Sequence, residues 1–206
     1  MDSRFAYKKS IELLLALLAG VVLYLQLRAL DIILAIWFLP ESKEHFALAW
    51  GSALSLTAVF FSCIVRPLIE EFIFRRKLYE FLSKRSKKWM PMVLSATIFC
   101  LAHYQYYGTL YMVNTFLMAL VFQVIMNSSG SIVTAATCHG AYNFCVLSPK
   151  PSVTDIQLAL GIPELDLLWF AWIVLLPVTG TLYALLRSLL KETKAESAQI
   201  FSSASA

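Results

Sequence analysis

The chain has 206 residues, of which 59% are hydrophobic and 15% charged, with a mean hydropathy of +0.70 and a net charge of +4. Soluble domains average about 45–50% apolar and roughly 25% charged residues, so this excess does not fit one soluble core and points to an all-α polytopic membrane protein. The cations sit mostly at the ends of apolar runs rather than in a patch interleaved with aromatics, which argues for membrane orientation and against a nucleic-acid partner.

In chain order, the run from about Ser10 to Leu30 reads as a first span, retained because no small-residue cleavage site follows the basic start. The next piece, "DIILAIWFLP", is too short to cross alone and either extends that span or lies at the interface. After the polar loop "ESKEH", which holds His45, a second span begins near Phe46 and ends at Arg66-Pro67, where the proline breaks or kinks the helix or opens a new one. A half-apolar helix (Leu68 to Leu82) and a basic loop, "SKRSKKW", follow. Span three then covers Met90 to Tyr107 and span four Thr109 to Met126, "NSSG" is a tight turn, and span five covers Ser131 to Leu147. A loop with Asp155, Glu164 and Asp166 leads to a last span, Leu167 to Leu190, and residues 191–206 read as a polar disordered tail.

These elements form a single membrane domain (1–190), a bundle of about six to eight membrane helices around a polar cavity. With the N-terminus cytoplasmic and six full spans, fourteen Lys and Arg fall inside and only Arg28, Lys43 and Lys150 outside, the expected positive-inside bias. The four cysteines, Cys63, Cys100, Cys138 and Cys145, lie in apolar segments without a C-x-x-C pair, so neither disulfides nor a zinc knuckle are expected.

Ionisable groups at membrane depth are costly and mark function. Three constellations stand out. In "EEFIFR", Glu71 and Arg75 are i,i+4 and can pair, whereas Glu70 points about 100° away and is left free. In "FCLAH", Phe99 and His103 share a helix face, which lets the ring pack beside the imidazole. In "HGAYN", His139 and Asn143 share a face, with Gly140 and Ala141 permitting close helix approach. Separately these fit a solvated charged face, a satisfied core histidine and interhelical hydrogen-bond glue. Together they are the parts of a hydrolase: a carboxylate base for water, a histidine beside it, and a His/Asn pair to donate to an oxyanion. Glu70, His103 and His139 are also a zinc-type ligand set, but H-E-x-x-H is absent, and no metal or other cofactor is favoured. A Ser or Cys nucleophile (Ser95, Cys100, Cys138) lacks an elbow motif.

The ordered trio resembles the motif set of the CPBP family, the CAAX-protease and bacteriocin-processing intramembrane proteases, also called the Abi family. The match covers a motif core of about residues 47–148. The resemblance implies an all-α bundle that cleaves peptide bonds of membrane-anchored or lipidated substrates, by CAAX-like, leader-peptide or sorting-signal processing. It implies Glu70 as the base, His103 as its partner on water, His139 and Asn143 as the oxyanion site, and Glu71, Arg75 and Phe99 as support. A glutamate mechanism without metal is favoured, with a divalent metal such as zinc on Glu70, His103 and His139 as the alternative. The compact chain, with short loops, points to a prokaryotic plasma (inner) membrane. Two competing functions use the same residues: a proton-coupled transporter, and a non-catalytic immunity or scaffold protein.

Overall fold

A computed structural model describes residues 3–38, 55–86 and 89–148, and positions 169, 173 and 179. Every element among them is helical. Helix α1 (Ser3–Phe38) has 36 residues. The "DIILAIWF" piece therefore continues the first helix, which at 1.5 Å per residue is about 54 Å long. Within it, Ala6–Leu30 is long and apolar enough to cross a membrane, as is Met112–Ser129 later in the chain; no other described helix passes that length-and-composition test. Met90–Tyr104 and Ile132–Leu147 are shorter apolar helices. The beginning of span two, His45, the loop with Asp155, Glu164 and Asp166, most of the last span and the tail lie outside the described residues. Thr179, from the last predicted span, is helical and donates its hydroxyl to Gln26 Oε1 of α1 at 3.0 Å.

The motif helix follows one continuous helical path over residues 56–83 with two widened stretches. It comprises α2 (Leu56–Phe60), a π segment (Phe61–Val65), α3 (Arg66–Glu70), a second π segment (Glu71–Leu78) and α4 (Tyr79–Ser83). Pro67 does not break this path; it is buried near the start of α3, and so opens a new α segment. Lacking an N–H, it cannot serve a carbonyl one turn back, and the first π segment sits where that donor is missing.

The carbonyls of the π segments gain donors from other helices. Asn143 Nδ2 donates to Ser62 O at 2.8 Å, Ser95 Oγ to Phe74 O at 2.8 Å, and Gln123 Nε2 to Arg75 O at 3.4 Å. These bonds tie the irregular helix to its neighbours at the positions where its own ladder is altered.

Helix α5 (Met90–Ser129) runs 40 residues but is not a straight rod. The Cys100 thiol donates to Met112 O at 3.2 Å, twelve residues on, where a straight helix would separate them by about 18 Å. The chain reverses between these residues, giving the two arms expected as spans three and four. Gly130 ends the second arm with φ +66°, its N–H returning to Met126 O at 2.8 Å. This is the left-handed cap that glycine adopts without a Cβ penalty, and it makes "NSSG" a turn. Ser131 then caps α6 (Ile132–Leu147), its Oγ accepting from Thr134 N.

Helices α1 and α6 pack most extensively. A Cβ on Gly20 of α1 would collide with the Cys138 carbonyl and with Ala141 Cβ. At the start of α6, the Thr134 hydroxyl donates to Glu12 of α1, and Lys9 Nζ pairs with the same carboxylate at 2.8 Å. Between the arms of α5 and α1 lies an apolar core of Ala16, Leu23, Leu27, Ala96, Phe99, Met118, Ala119 and Phe122. An apolar groove of about 570 Å³ runs along α1, α6 and the motif helix, lined among others by Leu17, Cys63, Ile64, Leu68, Gly140 and Phe144.

Candidate active site

Four segments converge on one cluster: α3 with the second π segment, the two arms of α5, and α6. Glu71 and Arg75 are sealed at its base. Arg75 Nε lies 3.3 Å from Glu71 Oε2, and both side chains have 0% exposure. The expected i,i+4 pair is therefore formed. The guanidinium also rests on the Phe99 ring, 4.5 Å from its centroid, while its nitrogens have no hydrogen-bond acceptor. The charge is thus held by one carboxylate and one π face.

Glu71 Oε1 also takes His139. The distance to His139 Nδ1 is 2.9 Å. A carboxylate only accepts, so Nδ1 carries the proton and Nε2 faces the opposite way. That nitrogen lies 3.6 Å from Glu70 Oε2, an oxygen that is buried and has no hydrogen-bond partner. Phe122, from the second arm of α5, stacks on the His139 ring with centroids 4.6 Å apart.

His103 comes from the first arm. Its Nδ1 lies 2.8 Å from Phe99 O, a carbonyl that can only accept, so Nδ1–H donates and Nε2 is left as the acceptor. The Phe99 ring lies beside the imidazole with centroids 4.3 Å apart, as the i,i+4 spacing predicted. His103 Nε2 is 3.6 Å from Glu70 Oε1. Glu70 thus presents one oxygen to each of two imidazoles that are 36 residues apart in sequence.

The expectation that Glu70 is left free is corrected. Arg66 Nε lies 2.6 Å from Glu70 Oε1, and Arg66 Nη2 lies 3.0 Å from His103 Nε2. The forward i,i+4 pair, Glu71 with Arg75, was sought in the sequence; the backward one, Arg66 four residues before Glu70, carries the same signal and was missed. Phe122 was also missed, and no local pattern marks it, since its role comes from the fold of α5. With Arg66 included, two carboxylates face two guanidinium groups.

Asn143 shares a face of α6 with His139, but the structure directs one of its amide N–H groups to Ser62 O. Gly140, between them, lets α6 press against the first π segment: a Cβ there would collide with the Cys63 carbonyl. The small residues of "HGAY" therefore permit the close approach expected of them.

Residues that would have to hold a metal do not fit one well. Among the described residues no three His, Cys, Asp or Glu side chains are arranged as a metal site. Within the cluster, the Arg66 guanidinium already lies against Glu70 Oε1 and His103 Nε2, where a cation would need those atoms as ligands.

Comparisons with curated proteins and with solved structures return no match. Residues 52–145, which hold every member of this cluster, match the family model described as type II CAAX prenyl endopeptidase Rce1-like, a match that agrees with the CAAX-protease (CPBP) family the three motifs resemble.

Proposed function

We propose that the protein is an intramembrane endopeptidase that hydrolyses a peptide bond of a membrane-anchored peptide or protein. Glu70 acts as general base on water with His103, and His139 and Asn143 act as the oxyanion site. The observation that carries this reading is the meeting of one carboxylate with two imidazole nitrogens, each at 3.6 Å, on three separate helical segments. The family match over the same residues supports protease activity.

The proton positions dictate the order of events. Neutral His103 offers its Nε2 lone pair to the attacking water, and Glu70 takes the proton as the hydroxide adds to the carbonyl carbon. His139 cannot donate from Nδ1, which is committed to Glu71. It must first gain a proton at Nε2, and Glu70 Oε2, 3.6 Å away, is the adjacent source. The resulting imidazolium, paired with Glu71, then donates to the oxyanion. Asn143 has two amide hydrogens; one holds Ser62 O and the second serves the substrate oxygen. Collapse of the tetrahedral intermediate returns the proton to the leaving amine. No step is routed through a metal.

The same reading includes a polytopic bundle of six to eight membrane helices around a polar cavity, in a prokaryotic plasma membrane with the N-terminus cytoplasmic. The test is cleavage of a membrane-anchored peptide by the purified protein in detergent. Glu70→Gln and His103→Ala are each expected to abolish cleavage while the protein stays folded; cleavage retained in both would refute the assignment. Activity that disappears after exhaustive chelation, and returns with zinc, would replace the glutamate mechanism by a metal one.

A further inference from the structure

The Glu70 base, on which the protease reading rests, is closed in this structure. A water activated by Glu70 and His103 needs a hydrogen bond of about 2.8 Å to each. Their facing atoms, Oε1 and Nε2, are only 3.6 Å apart, and both are taken by Arg66, through Nε at 2.6 Å and Nη2 at 3.0 Å. The other carboxylate oxygen, Oε2, is buried against His139. The guanidinium therefore stands in the place that the nucleophilic water must enter.

Arg66 differs from the other cation of the cluster in one respect. Its side chain is 46% exposed, against 0% for Arg75. The Glu70 carboxylate beneath it is 13% exposed, so the guanidinium is the member of the pair that an incoming partner can reach from outside. What it holds here is a carboxylate, and its planar fork is built for that geometry. A second carboxylate arriving from the exposed side would compete for the same guanidinium.

We propose that Arg66 is a substrate-recognition residue: it covers Glu70 and His103 at rest, and a carboxylate of the substrate close to the scissile bond draws it away and admits water. The substrate class is then a membrane-anchored peptide carrying an acidic group there, either a free C-terminus or an Asp or Glu side chain.

The test uses the full-length protein in nanodiscs and three palmitoylated heptapeptides: one with a free C-terminal carboxylate, its C-terminal amide, and an amide containing a single Asp. Binding is measured first, because it does not depend on cleavage. The wild type is expected to bind a carboxylate peptide about 10-fold more tightly than the plain amide, as expected for a charge-assisted pair at a half-exposed site. Whichever carboxylate peptide gains identifies the source. Glu70→Gln removes the internal competitor, so it should widen the preference several-fold without changing affinity for the amide. Arg66→Gln should bring all three peptides within about two-fold of each other, and Arg66→Lys should restore part of the preference.

Equal affinity for all three peptides in both wild type and Glu70→Gln would overturn the proposal, as would a preference that survives Arg66→Gln. Discrimination in binding without cleavage of any peptide would uphold the anion site and sink the protease reading. In cleavage, Arg66→Gln should erase the rate preference for a carboxylate peptide over the plain amide; a rate preference that survives it would overturn the proposal.

Discussion

Two adjacent acids on one helix meet opposite fates. Glu70 pairs backward with Arg66, and Glu71 pairs forward with Arg75. Both pairs are i,i+4 and both join a glutamate to an arginine. The forward pair is sealed from solvent at 0% exposure and grips His139; the backward pair opens outward and touches His103. The difference separates two uses of buried charge. A fully enclosed pair acts as scaffold, since neither member can leave without stranding the other. A pair with a half-exposed guanidinium over a mostly buried carboxylate can exchange the guanidinium without exposing the acid.

The sharpest way to break this comparison is to neutralise each acid in turn. Glu71→Gln leaves Arg75 buried and unpaired, and should lower stability by about 3–5 kcal/mol. Glu70→Gln should leave the melting temperature nearly unchanged. Thermal unfolding in detergent checks both, and equal losses would erase the distinction between the pairs. Removing the π face under the sealed pair comes next. Phe99→Ala deletes a ring with 0% exposure that supports Arg75 and lies beside His103, and should cost about 3–5 kcal/mol, with Phe99→Leu recovering part of it.

Smaller effects test the frame around the two pairs. Gly140→Ala places a methyl group against the Cys63 carbonyl, and should cost about 1–3 kcal/mol while also shifting His139 next to it. Cleavage should therefore fall more than melting alone accounts for. Arg66→Gln removes a half-exposed guanidinium but leaves the mostly buried Glu70 carboxylate, and should cost about 1–2 kcal/mol, less than Glu71→Gln. A larger loss would mean that the outward pair is scaffold as well.

Much of this arrangement was legible from local spacing. Glu71 with Arg75 and Phe99 with His103 follow from the helical repeat, because residues four apart share a face whatever the rest of the chain does. Gly130 after "NSS" marks the turn for the same kind of reason, since its positive φ is a local requirement. Arg66 obeys the same rule as Arg75 and could have been read by looking backward from Glu70. The π segments could not. A π turn differs from an α turn by one residue, and its unmatched carbonyls are stabilised by Asn143, Ser95 and Gln123, which come from distant parts of the chain.

Hydropathy and the spacing of a few polar residues determined that this is a helical membrane-type chain and which polar residues stand out within it. Both properties are local: apolar runs set helix length, and the 3.6-residue repeat sets which side chains share a face. Only the tertiary structure decided who meets whom. The reversal of α5 delivers Phe99 and Phe122 from opposite arms to the same imidazole. The approach of α6 at Gly140 brings His139 between two glutamates 68 and 69 residues away in sequence. Burial then set the two acids apart, because the exposure of an ion pair depends on what packs over it and not on the spacing that creates it.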